Sequence, residues 1–217
     1  MKDAAPELDF FPTHASEVRR EDLGDGSTVA LHERFARSEH AAWFDELERT
    51  LPWLQELYFR GGRCVPAPRL TSFHGDPGCG YVYSGIRYEP AAWTALLLEV
   101  RARLRAATGH HWNSVLANFY RDGRDSVGWH ADAEPELGPS RDDIAIASLS
   151  LGAARRFVLK HRRAGELRSY ELGHGALLVM SGRTQLDWVH ALPKTRRPAG
   201  PRINLTFRVI VARDRDR

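Results

Sequence analysis

The stretch Arg202-Ile-Asn-Leu-Thr-Phe-Arg208, near the end of the chain, alternates polar and apolar residues without a break. Side chains of an extended strand point alternately to its two faces, so Arg202, Asn204, Thr206 and Arg208 share one face. An edge strand with its polar face in water is the ordinary interpretation of such a pattern. If this face points into a barrel instead, its guanidinium groups need anionic partners, because an unpaired buried charge is costly. The carboxylates of a dicarboxylate ligand suit two such planar groups.

A series of short β-type segments leads up to this strand. They are separated by turns and lie at 115–120, 144–151, 156–160, 169–172, 176–180 and 187–191, with the last segment at 203–211. No convincing helical pattern interrupts them. Such a series predicts an antiparallel sandwich, barrel or jelly roll.

Two helical patterns come before the β-segments. Apolar residues recur at three- and four-residue steps over 38–50, with Ser38 at the N-cap position, and over 89–108, with Pro90 in the first turn and Gly109 at the C-cap. The intervening residues 52–88 are rich in Pro, Gly and aromatic side chains, which predicts short strands and loops. Residues 1–27 are interpreted as a loosely held lead-in. The predicted fold class is α+β, mainly β, with a single domain over 28–217.

Composition excludes several classes of protein. The 217 residues are 42% hydrophobic and 27% charged, an ordinary globular balance for one domain. No run of about 18 apolar residues occurs, the first residues lack a signal-peptide pattern, and two cysteines are too few for a zinc ribbon or a disulfide scaffold. A cytoplasmic protein with no membrane partner is expected, with a monomer as the default. The net charge of +3 permits an anionic partner without requiring one.

Three further residues offer metal ligands. His130 and Asp132 are two positions apart in a segment expected to be extended, so the imidazole and the carboxylate point the same way. His190, in the strand-like DWVHALP, is the candidate third ligand. Two histidines and one carboxylate on one face of a metal ion leave coordination positions open, as in non-haem Fe(II) oxygenases. An HxD pair alone is weak evidence, because a surface histidine often pairs with a carboxylate, but its combination with a distant histidine and a paired-arginine strand is a sharper signal.

The segment Leu116-Ala-Asn118-Phe-Tyr120 precedes the HxD pair. Asn118 and Tyr120 lie on one strand face and offer an amide and a phenol as hydrogen-bonding groups. A core tyrosine beside a turn-forming asparagine is the alternative interpretation.

Five segments together resemble the AlkB family of Fe(II)/2-oxoglutarate dioxygenases: NFYRDGRDSVGWHAD (118–132), ASLSLGAARRFVLKH (147–161), LGHGALLVMSG (172–182), WVHALP (188–193) and PRINLTFR (201–208). The likeness is strongest to the branch that repairs alkylated bases in duplex DNA. It implies a double-stranded β-helix (jelly roll) core at about 112–212, preceded by a nucleotide-recognition lid at about 54–88. It also implies Fe(II), 2-oxoglutarate as cosubstrate, and O2.

The resemblance also implies a role for individual residues. His130, Asp132 and His190 match the iron ligands of the family, whereas the positions that hold 2-oxoglutarate are matched by Asn118, Tyr120, Arg202, Asn204 and Arg208. Glu134 matches an acidic residue that contacts the target base, Tyr81 and Tyr83 match positions lining the base pocket, and Phe59 lies near the tip where the duplex-acting branch inserts an aromatic wedge. A methylated base must leave the duplex to reach the iron, which is the physical reason for such a lid.

Two groups of basic residues are candidate phosphate contacts, with a solvated charged surface as the alternative for both. They are Arg60, Arg63 and Arg69 in the lid segment and the later run Arg155, Arg156, Lys160, Arg162 and Arg163.

The main functional hypothesis is oxidative demethylation of 1-methyladenine and 3-methylcytosine in alkylated DNA, with RNA left open as a substrate, releasing formaldehyde, succinate and CO2. One alternative keeps the iron chemistry and changes the substrate to a protein, a lipid or a small molecule. Another is a non-catalytic nucleic-acid-binding module. Aromatic residues beside arginines in the lid segment favour a nucleic acid, and a complete set of metal ligands argues against a pure binding module.

Overall fold

The computed structural model describes residues 18–36, 41–60, 62–83, 86–138, 144–197 and 199–211, with the side chains of residues 59, 60, 81–83, 86 and 87 outside that description. Within these ranges the chain is mainly antiparallel β-structure, as predicted, with three α-helices where the sequence indicated two. No helix in these ranges is long and apolar enough to cross a membrane.

Seven strands form a large antiparallel sheet. In spatial order they are β1 (Val18–Asp22), β2 (Ser27–His32), β13 (Leu177–Gly182), β10 (Ile146–Gly152), β15 (Arg202–Arg208), β8 (Ser114–Tyr120) and β5 (Leu70–Gly75). Strand β15 pairs with β10 on one side and β8 on the other, and all of its residues are buried. The edge-strand interpretation of RINLTFR is therefore wrong.

A smaller antiparallel sheet consists of four strands. In spatial order they are β12 (Leu167–Leu172), β11 (Arg155–His161), β14 (Trp188–Leu192) and β9 (Val127–His130). The β-segments predicted from the sequence are all present across the two sheets. Strand β9 was not among them, because four residues that include a glycine are too few to show a β-pattern.

Two hairpins lie within the predicted lid range. Strand β3 (Leu57–Arg60) pairs with β4 (Arg63–Pro66), and β6 (Tyr81–Tyr83) pairs with β7 (Ile86–Tyr88). Between the hairpins runs β5, which pairs with β8 as the edge strand of the large sheet. The range predicted as a lid therefore also contains a core strand, and that strand joins both hairpins to the sheet.

Three α-helices and one 3₁₀ helix complete the described structure: α1 (Ala42–Thr50), α2 (Ala95–Thr108), the single turn α3 (Thr184–Asp187) and the 3₁₀ helix Pro135–Leu137. Helix α3 lies between two of the predicted β-segments, where the sequence showed no helical pattern. The predicted N-cap of α1, Ser38, lies outside the described residues. Helix α2 begins well after Pro90 because Thr94 caps it, its Oγ1 accepting a hydrogen bond from the Leu97 amide at 3.2 Å. The helix ends as predicted, at Gly109 with φ of 75°.

The structure differs from the expected lead-in over residues 18–27. Strand β1 pairs with β2 along its whole length. The Glu21 carboxylate of β1 accepts hydrogen bonds from Arg168 and from the Tyr170 hydroxyl of β12, at 2.7 and 2.8 Å. This segment is therefore tied to both sheets, whereas residues 1–17 of the predicted lead-in lie outside the described residues.

Two apolar cores lie on opposite faces of the large sheet. Ile203, Leu205 and Phe207 of β15 belong to the first, together with buried residues of α1 and α2. The second contains residues of both sheets, such as Ile146 of β10 and Leu159 of β11, and so lies between them. Because the apolar face of β15 is turned to the helices, its polar face is turned to the space between the sheets.

Candidate active site

A cavity of about 700 Å³ lies between the two sheets. Glu56 and Tyr58 of the lid segment contribute to its lining. The predicted metal-site and cosubstrate-site residues all line it, and so does Glu134: Asn118, Tyr120, His130, Asp132, Glu134, His190, Arg202, Asn204 and Arg208. The structure therefore brings into one space residues that are spread over ninety positions of the sequence.

Strand pairing brings the three candidate metal ligands together. His130 on β9 is directly opposite His190 on β14, with ring centroids 4.2 Å apart, and Asp132 follows the end of β9. The Nε2 atom of His190 lies 3.7 Å from an oxygen of Asp132. One nitrogen or oxygen from each of the three residues lies within 4.8 Å of the others, a spacing that suits a single bound ion.

The electrostatics of these three residues suit metal binding. Burial lowers the pKa of His190 to about 3, helped by the neighbouring His130, so its imidazole is neutral at physiological pH. Burial alone would raise the pKa of Asp132, but the Arg208 guanidinium and the two histidines outweigh it and hold the carboxyl below its usual pKa. Nδ1–H of His130 donates to the Gly128 carbonyl at 2.8 Å, which leaves Nε2 as the ring atom available to a metal ion. Two imidazoles and one carboxylate form the donor set of non-haem Fe(II) sites.

Two side chains hold Asp132 in place. Nη2 of Arg208 donates to one carboxylate oxygen at 2.5 Å. The backbone amide of Asp132 donates to Oε1 of Gln185 at 2.9 Å, and Gln185 is 1% exposed on α3, five residues before His190. Gln185 therefore links the carboxylate ligand to the segment that carries the third ligand. No pattern in the sequence pointed to this glutamine.

A buried cation occupies another part of the cavity wall. Arg202 is 2% exposed, donates to the Ser150 hydroxyl at 2.8 Å, and has its guanidinium 5.3 Å from the centre of the Tyr120 ring. Among the described residues, no carboxylate lies within ion-pair distance of Arg202, and its Nε atom has no hydrogen-bond partner. Burial lowers the pKa of Arg202 to about 10, so the side chain remains charged at neutral pH. A buried, uncompensated guanidinium fits the carboxylate of a bound anion such as 2-oxoglutarate.

Hydrogen bonds across the sheet orient the two asparagines. Nδ2 of Asn204 donates to the Ser148 hydroxyl at 2.8 Å, and its Oδ1 accepts from Thr206 at 2.9 Å. Oδ1 of Asn118 accepts from Nε of Arg69 at 2.8 Å. Arg69 was predicted as a phosphate contact, but it lines the cavity and contacts a predicted cosubstrate residue.

Glu134 lies on the cavity wall beside the candidate metal ligands. Its carboxylate is 3.9 Å from Arg208, and burial raises its pKa. A buried carboxyl group that can carry a proton is able to donate as well as accept a hydrogen bond, which suits the polar edge of a base.

The three aromatic residues predicted for the lid are located only by their backbone. Phe59 lies on β3 opposite Cys64, and Tyr81 and Tyr83 lie on β6 opposite Tyr88 and Ile86. Their side chains lie outside the described part of the structure, so their roles remain predictions.

Arg155 does not belong with the surface arginines of the later basic run. It is 2% exposed, and its guanidinium donates to the backbone carbonyls of Asp122, Asp125 and Pro193 at 2.8–3.1 Å. It therefore joins two loops and is not available to a phosphate. The other members of the run are exposed: Arg156, Lys160, Arg162 and Arg163.

Comparison with known proteins agrees with this arrangement. The family model of the 2OG-Fe(II) oxygenase superfamily matches residues 27–208. A solved structure of OsALKBH1 superposes with a TM-score of 0.57 over 88% of this chain and 99% of the other, at 16% sequence identity, which bears on the fold alone.

Two curated proteins of the mouse, Mus musculus, are more similar in sequence. The chain is 40% identical to alpha-ketoglutarate-dependent dioxygenase alkB homolog 3 over 195 residues, 85% of this chain and 66% of that relative, so it spans slightly less than two thirds of the relative's length. It is 38% identical to DNA oxidative demethylase ALKBH2 over 210 residues, 89% of this chain and 83% of that relative. These likenesses, taken with the fold and the His-Asp-His geometry, show that the chain belongs to the 2OG-Fe(II) oxygenase superfamily and, within it, to the AlkB family.

Proposed function

We propose that this protein catalyses the 2-oxoglutarate-dependent oxidative demethylation of N-alkylated bases in DNA, with 1-methyladenine and 3-methylcytosine as substrates. The observation that carries the proposal is that the His130–Asp132–His190 group and the buried cation Arg202 line the same cavity. One end of that cavity suits a metal ion and another suits an anionic cosubstrate. The names of the two mouse relatives, a dioxygenase and a DNA oxidative demethylase, support both the reaction and the substrate class.

Different residues would bind the metal ion and 2-oxoglutarate. His130, His190 and Asp132 would hold the metal ion, and Arg208 fixes the orientation of the aspartate through its charged hydrogen bond. Arg202 and Tyr120 would hold the far carboxylate of 2-oxoglutarate. Iron in this site, with 2-oxoglutarate and O2, supplies an oxidant that can hydroxylate the C–H bond of an N-methyl group.

The chain also controls what reaches the reacting atoms. The apolar core between the sheets and the buried strands around the cavity exclude bulk water from the metal end. Glu134 lies where it can contact the edge of a base held near the metal. Hydroxylation of the methyl group gives a hydroxymethyl base, which releases formaldehyde and restores the base, while 2-oxoglutarate is converted to succinate and CO2.

The test is anaerobic reconstitution with Fe(II), followed by addition of 2-oxoglutarate and air in the presence of oligonucleotides that carry 1-methyladenine or 3-methylcytosine. Formaldehyde release and intact mass report the reaction, and the loss of a single methyl group that depends on both Fe(II) and 2-oxoglutarate is expected. Asp132→Asn, which keeps the shape of the side chain and removes its charge, should reduce the reaction to background.

Two other outcomes of this experiment would change the proposed function. Succinate formation without demethylation would retain the iron chemistry and move the substrate to another class. If neither product forms in protein shown to hold iron, the proposal fails. The same lesions placed in single-stranded DNA, duplex DNA and RNA then rank the substrates by kcat/KM.

A further inference from the structure

Trp129 differs from the other tryptophans of the chain in having no partner for its ring among the described residues. All six tryptophans lie within the described residues. Five of them contact another aromatic ring or an arginine: Trp43 with Arg103, Trp53 with Phe119, Trp93 with Phe207 and Arg101, Trp112 with His110, and Trp188 with His161. Trp129 makes no such contact with any described residue and no hydrogen bond through its indole N–H, and it is 52% exposed.

The position of this side chain relates it to the reaction. Trp129 lines the same cavity as the metal-site residues. It lies on β9, the edge strand of the small sheet, immediately before the candidate ligand His130. Adjacent residues of a strand point to opposite faces, so when His130 faces the metal site the indole ring lies outside it, on the rim of the cavity.

We propose that Trp129 is a stacking platform for the base next to the target nucleotide. This inference rests on the proposed function, because it needs a nucleotide chain whose target base enters the cavity. The strand on either side of that base must then cross the rim. Its neighbouring base, separated from the stack, exposes a flat apolar face at the point where the chain offers an exposed indole ring.

The charges nearby favour a nucleic acid over a protein as the partner of this ring. Lys194 is exposed and lines the same cavity, so a cation is available where a phosphate on the same strand would pass. Aromatic rings combined with cations bind single-stranded nucleic acid without sequence preference, because every base has a stacking face. Trp129 is therefore expected to contribute to affinity and not to the choice of neighbouring base.

The experiment compares a pentanucleotide that carries a central 3-methylcytosine with the single nucleotide 3-methyl-2′-deoxycytidine 5′-monophosphate. The measured quantity is the ratio of kcat/KM for the pentanucleotide to kcat/KM for the nucleotide. In Trp129→Ala this ratio should fall roughly 5- to 150-fold, the range given by the loss of one base–aromatic stack. Trp129→Phe should retain most of the wild-type ratio, because phenylalanine keeps an aromatic face. Leu167→Ala is the matched control, because it truncates a 58% exposed residue on the opposite edge strand of the same sheet and should leave the ratio unchanged.

A binding measurement separates this inference from the proposed function. Oligonucleotides with 2-aminopurine on the 5′ or the 3′ side of the central base are added to the anaerobic Fe(II)/2-oxoglutarate protein, and stacking on indole quenches the 2-aminopurine fluorescence. Quenching by the wild type that is lost in Trp129→Ala supports the platform even if no demethylation occurs. The proposal is overturned if the ratio is unchanged in Trp129→Ala, or if kcat/KM falls equally on both substrates. It is also overturned if the wild type shows no quenching, or if the quenching survives in Trp129→Ala.

Discussion

The metal and cosubstrate end of the cavity and its lid-side mouth are built in different ways. Between the sheets, Asp132, His190 and Arg202 are 3%, 4% and 2% exposed. Strand β15, which carries Arg202, pairs with β8 along its whole length, and β14, which carries His190, pairs with β11 and β9. At the mouth, Glu56 and Tyr58 lie on or beside a hairpin of two four-residue strands that forms a sheet of its own.

This difference separates the chemistry from the recognition of the substrate. A slip of one residue in β15 would turn both arginines out of the cavity and destroy the site, so the register of the large sheet is strongly specified. The hairpins β3–β4 and β6–β7 are separate from the large sheet and can change in length and composition without altering that register, as loops on a rigid scaffold generally can. We therefore expect substitutions between the sheets to have large, specific effects and substitutions at the mouth to have small ones.

Among substitutions that leave the three candidate metal ligands intact, the largest effect is expected for Arg202→Met. The substitution removes the charge proposed to hold the far carboxylate of 2-oxoglutarate, so the KM for 2-oxoglutarate should rise roughly 10- to 150-fold, the range for a lost charge-assisted hydrogen bond. The same change removes a buried charge that no described carboxylate neutralises, so the protein without cosubstrate should unfold at a higher temperature. Succinate formation against 2-oxoglutarate concentration and thermal unfolding measure the two effects.

The opposite signs of these effects make the prediction for Arg202 specific. A merely structural arginine would lose stability on truncation. Arg202→Lys, which keeps a charge but not the planar fork, should recover part of the affinity. An unchanged KM in Arg202→Met would place the cosubstrate elsewhere in the cavity.

The next effect concerns Gln185→Met, which keeps the length of the side chain and removes the acceptor for the Asp132 amide. Groups that orient metal ligands typically contribute 10- to 100-fold to metal affinity, so the Kd for Co(II) should rise by that factor. Titration followed by the visible absorption of the bound Co(II) measures it.

A matched control separates metal affinity from stability. Asn113 joins its side chain to the backbone of Ile210 by two hydrogen bonds of 2.7 and 2.8 Å and does not line the cavity. Asn113→Leu should therefore lower the unfolding temperature and leave the Kd for Co(II) unchanged. A positioning role for Gln185 would be contradicted if Gln185→Met bound Co(II) as tightly as the wild type. It would also be contradicted if Gln185→Met and Asn113→Leu lost Co(II) affinity equally.

The same contrast explains what the sequence could predict. The alternation of RINLTFR identified the polar face of β15, because the period of a strand depends on its own residues alone. The spacing of His130 and Asp132 identified two candidate ligands for the same reason. The pairing of His190 with His130 is a tertiary contact that no local pattern encodes, and His190 entered the prediction only as a distant histidine in a strand-like segment.

Other features depend on contacts that are distant in sequence. Gln185 acts through one hydrogen bond to a backbone amide far away in the chain. Arg155 has the same sequence context as its exposed neighbour Arg156, and only the backbone carbonyls of two loops make its burial possible. Helix α2 was extended to Pro90 because a proline suits a first turn, but the Ala91 amide donates to the Phe73 carbonyl of β5 and draws this segment alongside the sheet.

The smallest effect is expected at the mouth, for Glu56→Gln. Glu56 lines the cavity, and its Oε1 accepts a hydrogen bond from the Thr71 hydroxyl at 3.2 Å, which a glutamine oxygen can still accept. The substitution removes one negative charge from the path of an anionic strand, so the KM for an oligonucleotide should fall, by roughly 1.5- to 5-fold. Steady-state kinetics at low salt measure it, and Glu99→Gln on α2, which removes an exposed charge that does not line the cavity, should not change KM.

The salt dependence distinguishes two roles for Glu56. If its charge acts only by repelling phosphates, the gain in Glu56→Gln should fade as the ionic strength rises, because the range of the repulsion shortens from about 10 Å at 0.1 M to about 3 Å at 1 M salt. If KM rises instead, the carboxylate accepts a hydrogen bond from the substrate, and the mouth takes part in recognition as specifically as the residues between the sheets. That result would contradict the division between a fixed chemical end and a tolerant mouth, because a single lid carboxylate would then select the substrate.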